Sequence, residues 1–231
     1  MNIHSGPRQS GDWRRRQAVS LDSLIEQLAK DIAPVRPRRF WVDGTIAALV
    51  AVAELALLFA VGFVHRDVQR MLTGPTLRWR IASLGLISLM SGFLAIRSFD
   101  PTYLSKAALR WLALLIAICV AYGMTMRGTP AGMGGIIQRL DWTSGVRCAA
   151  KIALLSIPPL IGFAVLGRRG APTDLRRTTL LIGLAAAAWG AFVFVFACPF
   201  DDPLYIVVWY GVGCGVVTVA ARLLLPPFVR W

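Results

Sequence analysis

Histidine and acidic side chains are scarce in this chain. Its 231 residues hold two histidines, His4 and His65, and 12 Asp and Glu against 25 Lys and Arg. There is no HExxH, no GxSxG and no paired-carboxylate arrangement, so hydrolytic chemistry has no residues to run on. The chain reads as a non-enzyme without a cofactor. The Gly-rich stretch RGTPAGMGG (127–135) lacks both the Lys-Ser/Thr and the preceding strand of a phosphate-binding loop. Zinc-finger spacing and an interleaved basic-aromatic strand pattern are also missing. The net charge of +13 therefore does not point to direct nucleic-acid binding. Residues 1–40 contain no apolar core ahead of a small-residue cleavage site, so the first membrane helix must direct insertion. No internal repeat is visible, which speaks against an inverted-repeat transporter.

Apolar residues are abundant. They make up 56% of the chain, and mean hydropathy is +0.61. Runs of about 20 apolar residues match a hydrocarbon core about 30 Å thick. Because the runs are continuous and do not alternate, a β-barrel is excluded. The sequence predicts an all-α membrane protein, a bundle of six spans at 44–64, 77–96, 107–124, 148–167, 178–197 and 204–225. Arg78 and Arg80, near the start of the second span, are expected to snorkel to the interface. Lysine and arginine are asymmetric between the two sides. Fifteen lie in the N-terminal tail, the loops after spans two and four, and the C-terminal tail; six lie in the other loops. Both termini are therefore expected in the cytoplasm of a bacterial inner membrane, and the loop with Asp201 and Asp202 outside. The excess positive charge suits cytoplasmic loops facing anionic lipid.

Three features inside the spans carry expectations of their own. Gly211 and Gly215, four apart in GVGCG, allow close helix approach. Ordinary packing within the chain is the favoured use, and a homo-oligomer seam is the other. Glu54 is the only acidic residue deep in a span, and an intramembrane carboxylate is a functional candidate. It stands without a second acidic or histidine partner, so a hydrogen-bonded glutamate facing the bundle interior is expected; Lys151 is a partner only if the depths match. A small-solute or proton-coupled transporter built on Glu54 is the competing functional reading. Pro158 and Pro159 break span four, as the discontinuous helices of a transporter are broken, but no ion site accompanies them.

The segment 1–43 is the main soluble piece, with 44–231 forming the membrane domain. SLDSLIEQLAKDIAPVRPRR predicts a helix over about 20–33, with Ser20 at its N-cap and Pro34 ending it. Leu21, Leu24, Ile25, Leu28 and Ile32 share one face. Asp22, Glu26, Lys30 and Asp31 populate the other. Such a helix is too short to be stable alone in water. Its mostly acidic polar face also suits an anionic bilayer poorly. A protein groove that accepts an amphipathic helix is the better home.

Of four cysteines, Cys119 and Cys214 fall within spans and read as small apolar core residues. Cys148 and Cys198 fall at the borders where span four begins and span five ends. Both are expected at the outer face, which in a Gram-negative cell is the periplasmic, disulfide-permissive side. Spans four and five are joined by a short loop, so they should run side by side and bring the two thiols together. Arg147 beside Cys148 should favour its thiolate, and Asp201 and Asp202 should disfavour that of Cys198. Cys148 is thus expected to be the more reactive. Metal capture by two thiolates with His65 or an aspartate is the runner-up.

The ordered set LIEQLAKDIAPVRP, RCAAKIALLSIPPL, GAPTDLRRTTLLIGLAAAAWGAF and CPFDDPLYIVVWY resembles the NrsF-type family of bacterial membrane anti-sigma factors over nearly the whole chain. The resemblance implies that the protein holds an extracytoplasmic-function sigma factor at the membrane and releases it under stress. It also implies that Cys148 and Cys198 are the sensing pair. Family members often carry a histidine just before the second cysteine. Ala197 stands there in this chain, which weakens a metal-ligand role at that position and leaves oxidation less affected.

The charge asymmetry makes a direct prediction. Reporter fusions after residue 231 and at Pro130 should report opposite sides of the membrane, with the C-terminal fusion cytoplasmic. A periplasmic C-terminus would overturn the orientation and place both border cysteines in the reducing compartment.

Overall fold

The structure, a computed structural model, describes residues 25–26, 40–62, 74–100, 106–125, 140–170 and 174–229. Among them there are helices and no strands. The order is α1 (Phe40–Ala60), α2 (Pro75–Arg97), α3 (Lys106–Thr125), α4 (Trp142–Leu155), α5 (Ile157–Arg168), α6 (Leu175–Phe194) with a 3₁₀ turn at Val195–Ala197, α7 (Pro203–Leu224) and the short α8 (Pro226–Val229). Six helical stretches are long and apolar enough to cross a membrane, α4 and α5 together forming the fourth. The six-span bundle read from hydropathy is therefore present, within one compact unit, Arg39–Trp231.

The spans differ from the apolar runs mainly at their ends. The first helix starts four residues earlier than expected, and the fourth starts at Trp142 rather than 148. Backbone hydrogen bonding carries a helix past the end of its apolar stretch when a cap is available. Here Asp141 accepts from Ser144 N at 3.5 Å. Trp142 packs edge-on against Trp209 of α7 at 5.2 Å between ring centroids. In consequence Cys148 lies well inside the helix and not at its first turn. The other caps are firmer. Asp174 accepts from Arg177 N at 3.1 Å, and Asp202 from Leu204 N at 3.0 Å ahead of Pro203 at the first helical position.

The interruption of the fourth span falls at Ser156. Pro158 and Pro159 have no N–H to give to the preceding turn. Ser156, at the break itself, donates both its hydroxyl and its N–H to Ile152 O, at 2.7 and 3.0 Å, so its own polar groups are satisfied within the helix that ends there. Ser91 and Thr179 return their hydroxyls to their own helices in the same way, which satisfies polar groups where water is absent.

At the centre of the bundle is α6, the most buried span, with α2 and α7 against it on either hand and α4 and α5 also packed on it. Helices in a bilayer associate by close packing more than by a hydrophobic drive, so small residues decide who approaches whom. The α6 sequence supplies them: Gly183, Ala185, Ala186, Ala187, Ala188, Gly190 and Ala191 are all buried. A Cβ on Gly183 would stand 2.7 Å from the Ala221 Cβ of α7, and one on Gly190 would run into Ser156 at the α4–α5 break. By contrast α1 and α3 are peripheral. Two core clusters result. One gathers Leu94, Phe99, Leu112, Phe163 and Ile182; the other, toward the opposite end of α6, gathers Leu77, Cys148, Phe194, Cys198, Tyr205 and Trp209.

Two expectations are corrected here. Gly211 and Gly215 do not pack against any of the described helices: no described atom lies within 4 Å of an added Cβ at either. The packing glycine of α7 is Gly213, facing Ala149 and Ile152 of α4 at 3.3 Å. Position 213 is about 200° around the helix from 211 and 215, so the faces are opposed. Arg78 and Arg80 also separate. Arg78 is exposed, but Arg80 is 1% exposed and sits inside the bundle. The same two-residue offset turns one outward and the other in. The proposed docking helix over 20–33 lies outside the described residues apart from Ile25 and Glu26, which are helical and exposed.

Close approach at α6 predicts that Gly183→Val and Gly190→Val destabilise the protein by at least the about 1–3 kcal/mol typical of overpacking. Gly44→Ala, which enters open space, should be near neutral. Thermal unfolding in lipid nanodiscs would separate the two groups.

Candidate functional site

The segment 198–202, Cys-Pro-Phe-Asp-Asp, connects the end of α6 to α7 and folds across one end of the bundle. Cys198 precedes Pro199, and that position disfavours helical backbone. It is extended, at φ −91° and ψ 120°, so the chain leaves the 3₁₀ turn as a strap. Pro203 and Asp202 then start α7. The strap carries Cys198 over α4, where Cys148 points inward. The two thiols lie within hydrogen-bonding reach of one another, and neither forms a disulfide.

Both sulfurs are buried, Cys148 at 5% and Cys198 at 1% exposure. The expectation of thiols displayed at the border is thus corrected: the strap covers them. Phe200 on the strap stacks on Tyr205 at 4.5 Å, and the Tyr205 hydroxyl donates to Cys148 Sγ at 3.4 Å. Trp209 closes the side. It donates to Leu140 O at 2.7 Å, and its ring fits against α4 only because residue 145 is glycine.

Arg80 holds the strap from below. Its Nη1 donates to Phe200 O and its Nη2 to the Tyr210 hydroxyl, both at 2.8 Å. Asp201 lies 3.6 Å from Nη1. A guanidinium is suited to this, since its planar fork serves several acceptors and keeps its charge. Arg80 and Tyr210 also both interact with the Cys198 sulfur. Sequence reading missed these residues as site members. The usable signal was an arginine inside an apolar run, which is a functional candidate by default.

The electrostatics invert the expected order of reactivity. The Cys148 thiol donates toward Cys198, and the Arg80 guanidinium and the Phe200 N–H add to this, holding the Cys198 thiol well below the usual thiol range. The two aspartates do not oppose it. Asp201 faces Arg80, and Asp202 caps α7. Arg147 is exposed while Cys148 is buried, because adjacent helical residues point about 100° apart. Of the two, Cys198 is therefore the thiol held toward its anion, the reverse of the order expected from Arg147. Together they can pass from dithiol to disulfide by releasing two electrons and two protons. Among the described residues no three His, Cys, Asp or Glu side chains gather as a metal site, and His65 lies outside them.

The remaining candidates fall elsewhere. Glu54 Oε2 accepts from Trp189 Nε1 at 3.0 Å, and Oε1 is buried with no hydrogen-bond partner among the described residues. Lys151 Nζ lies 6.0 Å from the Phe194 ring. Cys214 donates to Ala187 O at 3.5 Å and, with Cys119, borders a groove between α3 and α7.

The thiol geometry has a pH signature. Alkylation of Cys198 should follow a titration midpoint below the ordinary thiol value of about 8.5. Cys148→Ala and Arg80→Gln should each move it upward, since each removes a group that favours the thiolate. Iodoacetamide labelling rates from pH 5 to 9 provide the check, and an unmoved midpoint in both variants would contradict the assignment.

Residues 28–231 match the family model NrsF, described as Negative regulator of sigma F. No curated protein matches the chain, and no solved structure does. The matched stretch includes all six spans, both cysteines of the buried pair, Arg80, Leu28 and Ile32; Leu21, Leu24 and Ile25 precede it. A sigma factor is accordingly the partner, and the family's description is that of a regulator. This chain, a multi-pass helical membrane protein by its six apolar helices, belongs to the NrsF family of negative regulators of a sigma factor.

Proposed function

We propose that the protein retains an extracytoplasmic-function sigma factor at the bacterial inner membrane and releases it when the Cys148–Cys198 pair is oxidised from the periplasmic side. The observation that carries this reading is the contact between two buried thiols from different spans, with Arg80 and Tyr210 on the same sulfur. An oxidant reaches them when the strap lifts. Cys198 attacks, Cys148 resolves, and the S–S bond removes the anion that Arg80 faces.

The signal has a rigid path to the other face. Arg80 and Arg97 lie 17 residues apart on α2, about 26 Å at the helical rise. At the far end the Arg97 guanidinium sits over the ring of Phe40 at 4.5 Å and near that of Phe93 at 5.3 Å. Phe40 is the first residue of α1, directly after the N-terminal segment. A shift of α2 at Arg80 is thus felt where that segment enters the membrane. The Leu21, Leu24, Ile25, Leu28 and Ile32 stripe binds the sigma factor in the resting state. A tenfold loss of affinity corresponds to about 1.4 kcal/mol, so a small difference between two states suffices.

Co-purification of the sigma factor with the full-length protein tests both halves. Leu24→Asp or Leu28→Asp should lower retention at least tenfold with normal membrane insertion, because a carboxylate is placed in an apolar contact. Lys30→Ala should matter less. Cys148→Ser and Cys198→Ser should retain the sigma factor but fail to release it on oxidant. If both leucine variants retain it normally, the stripe is not the contact; if both cysteine variants release it as the wild type does, the pair is structural.

A further inference from the structure

A groove runs along the bundle between α2, α3 and α7, with Leu184 and Ala188 of α6 at its floor. Its volume is about 410 Å³, within the range of small-molecule sites. On α7 it extends from Ile206 to Val219, about 20 Å at the helical rise. One leaflet of a hydrocarbon core accounts for about 15 Å. The middle of the α7 wall holds Gly211 and Gly215, with no described atom within 4 Å of an added Cβ at either. They and Val219 are exposed on its open side. Apolar side chains such as Ile87, Ile116 and Val120 form most of the rest.

Polarity is concentrated at one end, where Arg80, Ser83 and Tyr210 line the groove. The Ser83 hydroxyl already donates to Arg80 O at 3.3 Å. Arg80 is 1% exposed, and among the described residues its Nε–H finds no acceptor. A buried donor without an acceptor is costly, and more so where water is excluded. The groove therefore suits a molecule with a single apolar chain and a hydrogen-bond acceptor at its head. A carboxylate head would add a second anion where Asp201 already lies 3.6 Å from the guanidinium. A neutral carbonyl avoids that repulsion. Arg80 and Tyr210 also touch Cys198, so the head of such a molecule lies beside a dithiol. Isoprenoid quinones combine a neutral carbonyl ring, one apolar tail and the capacity to oxidise a dithiol.

We propose that this groove binds a membrane-dissolved isoprenoid quinone, its ring carbonyl toward Arg80 and its tail along Gly211 and Gly215. The consequence for signalling rests on the thiol-sensor reading above: the bound quinone is a second, membrane-borne oxidant for the same pair, beside the one that arrives when the strap lifts. Two S–H bonds break and one S–S bond forms between Cys148 and Cys198. The two electrons and two protons pass to the ring, which becomes the hydroquinone.

Binding is measured on the full-length protein in quinone-free lipid nanodiscs, using a decyl-tailed benzoquinone and quenching of tryptophan fluorescence. The expected result is saturable quenching that weakens at least tenfold in the Gly211→Leu, Gly215→Leu double variant, whose melting temperature stays at the wild-type value because both side chains enter open space. A photoreactive azidoquinone provides the second measurement, with crosslinks expected on α2 and α7 peptides. Absence of saturable binding, equal affinity in the double variant, crosslinks confined to other helices, or equal competition by a saturated alkyl ketone of the same length would each overturn the proposal. Neither thiol lines the groove, so Cys148→Ser should bind the quinone normally. A failure of sigma-factor release alongside intact quinone binding would count against the sensor reading alone.

Discussion

One buried guanidinium organises the functional end of this protein. Arg80 is covered on all sides, yet it reaches the strap carbonyl of Phe200, the Tyr210 hydroxyl, Asp201 and the Cys198 sulfur. Taking a charge out of water is costly unless its neighbours compensate it. Three elements must therefore stay in register around this one side chain: α2, which carries it, the strap 198–202, and the first turns of α7. The covering of both thiols follows from that register. A change in the charge of Cys198 is consequently a change in what Arg80 requires of its surroundings, and in the proposed sensor this is how a thiol reaction becomes a mechanical one.

The helix packing makes such a change transmissible. Around α6 the backbones approach closely through small side chains, with Gly183 against Ala221 and Gly190 against the break at Ser156. Close-packed contacts do not deform continuously, so a displacement at one end favours movement of whole helices. The bundle ties α2 at both ends, to the strap through Arg80 and to Phe40 through Arg97. The less buried spans α1 and α3 leave room around this core. The groove beside α3 lies where α7 presents glycines against which none of the described helices packs.

The pattern of apolar runs alone determined the six-span architecture, because a bilayer requires each spanning segment to satisfy its own backbone over a fixed thickness. That Cys148 and Cys198 come near one another was likewise legible, since consecutive antiparallel spans share one end of a bundle; that Cys148 sits nearly two turns inside its helix was not. Which thiol is activated was not legible. Chain neighbours suggested Cys148 through Arg147, but side chains one position apart on a helix diverge, and the cation that matters comes from 118 residues away in the sequence. Arg80 and Arg78 looked alike as snorkelling residues, and Gly211 and Gly215 looked like a packing motif. Only the rotation of α2 and α7 in the folded bundle decided which faces turn inward. Hydropathy records how far a segment extends through the membrane, whereas helix rotation is set by contacts between segments that no single stretch contains.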